Sequence, residues 1–153
     1  MHFATIMRIA LVTLLFAPLV VWPGCGKPKF AGPQQVLANW SRSIQDLNYA
    51  EYSRCEAYPR GADVFAEMYR DFYFTDMMVT SIEEPSESDV KTDYEGNAYI
   101  HCSLSFEAGV IKRGAAHPSQ LARGDAVFIK FAEGKRAKQG WLMSNRTFIT
   151  VDR

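Results

Sequence analysis

Few side chains in this sequence are suited to chemistry, and they are scattered. Its three cysteines are Cys25, Cys55 and Cys102, and its three histidines are His2, His101 and His117. No Cys-x-x-Cys pair is present, so thiol–disulfide catalysis has no motif to rest on. The histidines show no i, i+4 pair and no cysteines cluster beside them, so the spacing gives no metal site. There is no Gly-rich loop to cradle a phosphate and no Gly-x-Ser-x-Gly elbow to present a nucleophile. No cofactor is implied. Cys55 is expected to end a helix and Cys102 to lie on the strand face that meets the helices, which makes Cys55–Cys102 a candidate disulfide, with two buried thiols as the alternative.

These residues depend on the elements that carry them. From Gln34, Val36, Trp40, Ile44 and Leu47 recur at helical spacing, in a pattern that can continue through Ala50 to Cys55 before Pro59-Arg60-Gly61 ends it. A second helix is expected from Gly61 to Asp76, with Val64, Phe65, Met68, Tyr69, Phe72 and Tyr73 on one face. The period then changes. Met77 to Ile82 is rich in β-formers, and Asn97 to Phe106 alternates strictly, with Ile100, Cys102, Leu104 and Phe106 opposite Tyr99, His101, Ser103 and Ser105. Gly114 to Gly124 is expected as a loop, Ala126 to Ala132 as a strand, Gly134 to Gly140 as a hairpin loop and Trp141 to Val151 as the last strand. The order predicts an α+β domain: two N-terminal helices packed on a curved antiparallel sheet of about four strands. Trp40, Phe65, Tyr69 and Phe72 could line an apolar pocket, although ordinary core packing explains them as well.

The N-terminus reads as an address. Arg8 precedes an apolar run from Ile9 to Trp22 that Pro18 interrupts. The run is shorter than the roughly 20 residues needed to span a bilayer and suits an export signal. Translation could begin at Met1 or at Met7, which sits directly before Arg8. With Gly24-Cys25 at its end, the segment resembles a bacterial lipoprotein signal, although Trp22 and Pro23 depart from the usual pattern. The resemblance implies a signal over residues 1–24, lipidation of Cys25 with palmitate among the acyl chains, and a tether over 25–33. It places the domain, 34–153, at the cell envelope. Gly26 follows the cysteine where an Asp would favour retention at the inner membrane, so the outer membrane, facing the periplasm, is the expected location. In a bacterial chain the Asn39-Trp40-Ser41 and Asn145-Arg146-Thr147 matches to the glycosylation pattern carry no weight.

The helix segments Asp46-Leu47-Asn48-Tyr49-Ala50-Glu51-Tyr52 and Phe65-x-x-Met68-Tyr69, with the closing Gly140-Trp141-Leu142-Met143, resemble the NTF2-like (cystatin-like cone) superfamily, in particular its small DUF4878-type envelope lipoproteins. That superfamily hosts enzymes, binding modules and assembly domains alike, so the fold assigns no activity. Its isomerase- and dehydratase-like enzymes place acid–base groups inside the cone, and the candidates here would be His101 with Asp46 or Tyr69. The alternation turns His101 away from the more apolar strand face, which favours a non-catalytic binding or interaction domain over an enzyme. A third alternative is an envelope module that self-assembles, as a homodimer, through the open face of its sheet.

Charge sharpens the partner classes. The 153 residues carry 17 Lys plus Arg and 17 Asp plus Glu, which argues against a nucleic-acid binder. The balance is uneven along the chain: residues 25–110 hold 7 basic and 14 acidic side chains, and residues 111–153 hold 9 and 3. Lys135, Arg136 and Lys138 share one loop, a candidate contact for anionic lipid, phosphate-rich polysaccharide or an acidic partner, with a solvated tip as the plain alternative. The expected partners are the membrane, through the lipid anchor, and an unidentified envelope protein or small ligand.

Overall fold

A computed structural model describes residues 30–83 and 88–152. The expected signal, the alternative start at Met7 and the lipidation site Cys25 lie outside these residues. Among the described residues no helix is long and apolar enough to cross a membrane.

Among the described residues three helices precede the sheet, one more than the helical spacing suggested. Helix α1 (Pro33–Gln45) starts on a proline, whose fixed φ suits the first turn, and buries Val36, Leu37, Trp40 and Ile44. It does not run on to Cys55. Leu47 adopts a left-handed φ of 50°, with Leu47 N–H donating to Ile44 O at 3.2 Å and Asn48 N–H to Ser43 O at 2.8 Å. That is the Schellman way of closing a helix, with leucine where glycine is usual. The Asn48 side chain then accepts from Glu51 N–H at 3.2 Å and starts α2 (Tyr49–Cys55). Arg113 secures the break from the sheet, donating to Ile44 O at 2.6 Å, Gln45 O at 2.8 Å and Tyr69 O at 3.0 Å.

Helix α3 (Ala62–Met68) is also shorter than its spacing suggested. The chain leaves it at Tyr69, and strand β1 (Phe72–Ile82) takes up Phe72 and Tyr73, whose spacing predicts helix. Consecutive aromatics suit a pleated surface. Here they pair across to Lys112 and Ile111, while Phe74 turns inward and stacks on Trp40 with ring centroids 5.8 Å apart.

The sheet is antiparallel and curved, in the order β1–β3–β4–β5. A two-residue strand β2 (Lys91–Thr92) pairs with the start of β3 (Ala98–Lys112), which makes five strands among the described residues where about four were expected. Strand β4 (Gln120–Phe131) begins inside the segment read as a loop, and β5 (Trp141–Val151) matches its expected span. A 3₁₀ turn over Lys135–Gln139 occupies the expected hairpin loop. The predicted alternation of β3 holds: Cys102, Leu104, Phe106, Ala108 and Val110 are buried on the face that also carries Ala122, Ala126 and Phe128 of β4. Phe106 lies directly across from Gly124, where a β-carbon would stand 2.3 Å from the ring, so only glycine leaves the phenyl room.

The outer edge of β5 is partly closed. Phe30, read as tether, is buried and forms a parallel bridge to Gly140. Farther along, Glu56 bridges Met143, and Ala57 N–H donates to Met143 O at 2.8 Å.

Candidate functional site

The turn after α2 places one acidic residue where the flanking chain is apolar. Tyr52, Cys55 and Ala57 are buried around Glu56, and pairing of this segment with β5 fixes the direction of the carboxyl. Half-buried, it lines a cavity of about 190 Å³ between the helices and β5, together with Trp40, Tyr52, Tyr69 and Asn145. The Trp40 indole donates to Glu56 Oε1 at 2.9 Å, and the Tyr52 phenol lines the cavity beside the same carboxyl.

Burial raises the Glu56 carboxyl to about 7, against the Trp40 hydrogen bond, the Tyr52 hydroxyl and the nearby charge of Arg60, all of which favour the ionised form. The phenols of Tyr52 and Tyr69 are held well above their ordinary value, first by burial and then by the negative charge of Glu56. Both stay protonated and keep a hydroxyl proton to donate. The cavity therefore presents a carboxyl that can give or take a proton near neutrality, surrounded by fixed donors and aromatic faces. Its volume lies below the ~300 Å³ at which drug-sized sites begin, so it suits a small molecule or one end of a longer one.

The residues expected to form a pocket divide into two pairs. Trp40 and Tyr69 line the cavity. Phe65 lies behind it in the core, 4.6 Å from the Tyr52 ring and 5.4 Å from that of Tyr69 (centroid distances), and Phe72 packs edge-on to Tyr69 from β1. The proposed acid–base group is not assembled. Tyr69 lines this cavity, Asp46 lines a depression at the end of α1, and His101 lines an adjoining cavity of about 350 Å³ that shares Tyr58, Ser144 and Asn145 with the Glu56 cavity. Strand alternation separates His101 from the helices, as its spacing implied. Cys55 and Cys102 are both buried thiols, with no disulfide between them.

The basic loop is also not uniform. Lys135 and Lys138 are exposed, but Arg136 folds inward. Its guanidinium lies 4.0 Å from the Phe131 ring centroid and 5.2 Å from that of Tyr58, and it donates to Ala57 O. Apolar surface left open beside Phe131 and a bare carbonyl draw it in, so Arg136 is a structural cation and only the two lysines remain as contact candidates.

Glu56 is not legible in the sequence, because a lone acid after a helix carries no motif. The available signal was its place between buried residues, one helical turn beyond Tyr52.

No protein-family model matches the chain, no curated protein matches it, and no solved structure matches it.

Proposed function

We propose that this chain is a lipid-anchored protein of the bacterial envelope whose α+β domain, a cone of NTF2-like type, binds a small ligand in the Glu56 cavity. The observation that carries the binding reading is the convergence of Trp40, Tyr52 and Tyr69 on a half-buried carboxyl in a cavity with space left in it. A core built only for stability would fill that space with hydrocarbon. Support for the anchor is the Arg8 and apolar run leading to Gly24-Cys25, because two or more acyl chains hold a protein at a membrane. Growth on labelled palmitate tests the anchor: the Cys25→Ser protein should carry no label, and persistent labelling would refute it. A small-molecule fragment screen on the protein tests the ligand site, with the Trp40 indole N–H resonance as reporter. Hits that shift it in the wild type and lose affinity in Glu56→Gln support the site, and a screen in which no fragment moves that signal counts against it.

One observation favours catalysis as a second reading. A carboxyl titrating near neutrality is suited to proton abstraction beside a carbonyl. Wild-type protein would then exchange deuterium from solvent into a bound enolisable ketone, and Glu56→Gln would not. Binding without exchange leaves the non-catalytic reading.

A further inference from the structure

On the sheet face away from the helices, the register of β4 against β5 slips. Ala126 pairs with Thr147 and Phe128 with Met143, so Val127 alone faces Ser144, Asn145 and Arg146. Such bulges turn side chains out of the ladder. Asn145 and Arg146 line the 350 Å³ cavity together with Val127, Ile129, Tyr58, Tyr94 and Tyr99. The geometry points to this cavity as a binding site for a small organic anion with a flat apolar body, its acidic group on Arg146 and Asn145 and its body against the tyrosines.

The charges around the cavity support an anion. The carboxylate of Asp93 is already saturated, accepting from the Tyr58 hydroxyl at 2.8 Å, Asn97 N–H at 2.8 Å, Glu95 N–H at 2.9 Å and the Asn97 amide. Asp89 faces Lys91 at 3.6 Å. Neither takes Arg146: among the described residues the Arg146 guanidinium and the Asn145 amide have no protein partner, whereas Arg113, Arg123 and Arg136 are all engaged. A planar guanidinium left open beside a side-chain amide matches the paired oxygens of a carboxylate or phosphate.

Lys91 adds a second cation. Its ammonium lies 3.2 Å from His101 Nε2, and an ammonium only donates, so Nε2 accepts and the ring proton sits on Nδ1. That Nδ1 is buried without a hydrogen-bond partner, with Asp89 Oδ2 nearest at 3.8 Å. One Lys91 proton goes to His101 and one faces Asp89, which leaves a third for a ligand. Tyr94, 81% exposed at the rim, stands with its ring centroid 5.6 Å from that of Tyr58, and the two provide stacking surface that a bare inorganic ion would not use.

The test is a titration of the full chain in nonionic detergent, followed by NMR of the Arg146 and Asn145 side-chain N–H signals, with benzoate, benzamide and inorganic phosphate as probes. Benzoate should bind saturably and shift both signals; because Asn145 also lines the Glu56 cavity, a shift at Arg146 with the Trp40 indole signal in place is what separates the two sites. Benzamide and phosphate should each bind at least several-fold more weakly, and Arg146→Gln should weaken benzoate tenfold or more. Absence of saturable benzoate binding, or equal binding by Arg146→Gln, would overturn the site. Benzamide binding as tightly as benzoate would overturn anion recognition, and phosphate binding as tightly would overturn the part given to the tyrosines.

Discussion

The indole N–H of Trp40 meets the carboxylate oxygen of Glu56 at 2.9 Å, across sixteen residues of sequence and the gap between α1 and the segment that pairs with β5. This bond joins the helical layer to the edge of the sheet through an ionisable group, so stability must depend on the protonation state of Glu56.

The sign follows from linkage. The folded-state value, about 7, lies above the ordinary 4.5, so between those pH values the folded protein holds the proton more tightly than the unfolded chain does. Stability from this group is therefore full below about pH 4.5 and falls as pH rises through 7. The loss should be about 2–3 kcal/mol, given ~1.4 kcal/mol per pH unit and the partial exposure of the carboxyl. Urea unfolding at pH 5 and pH 8 measures it, and Glu56→Gln should remove most of the difference.

Trp40→Phe keeps a ring against Phe74 but deletes the donor that favours ionised Glu56. The carboxyl should titrate still higher, as read by carbon NMR, and the protein should lose about 1–2 kcal/mol for a polar group left unpaired. An unchanged titration would show that the indole bond does not form in solution.

Arg136 and its neighbours should behave differently. Arg136→Ala removes the cation from the Phe131 ring and leaves Ala57 O without its donor, at a cost of about 2 kcal/mol. Lys135→Ala and Lys138→Ala should stay within about 0.5 kcal/mol of wild type. Thermal melts of the three variants test this, and equal effects would return Arg136 to the surface.

Gly124→Ala places a methyl group against the buried Phe106 ring. The expected cost is about 2–3 kcal/mol, as for other overpacked cores. Combining it with Phe106→Leu should cost less than the sum of the two single changes, because the smaller side chain vacates the space the methyl needs.

The legible parts of the fold were those where one local rule governed. The alternation through Ile100, Cys102, Leu104 and Phe106 announced β3 and the outward direction of His101, because a strand buried on one face leaves a period of two. The helices were harder. Leu47 takes the left-handed turn that glycine would have advertised, so the break after α1 looked like continuous helix. Phe72 and Tyr73 fall at helical spacing by coincidence, and their cross-strand partners near Ile111 decide otherwise. Glu56 depends on Trp40 and β5, and Arg136 on Phe131 and Ala57. Such long-range pairings leave no periodic trace, which is why the candidate site was largely invisible while the sheet that supports it was not.

The bridge from Phe30 to Gly140, with Trp141 N–H donating to Phe30 O at 3.2 Å, has a mechanical meaning. A pull on the chain ahead of residue 30 loads the root of β5 before it reaches α1. From there it spreads through Trp141 and Lys130 into β4 as shear between long antiparallel strands. Hauled from its N-terminal end, the domain hangs from its last strand, the strand to which the Glu56 segment is also bridged.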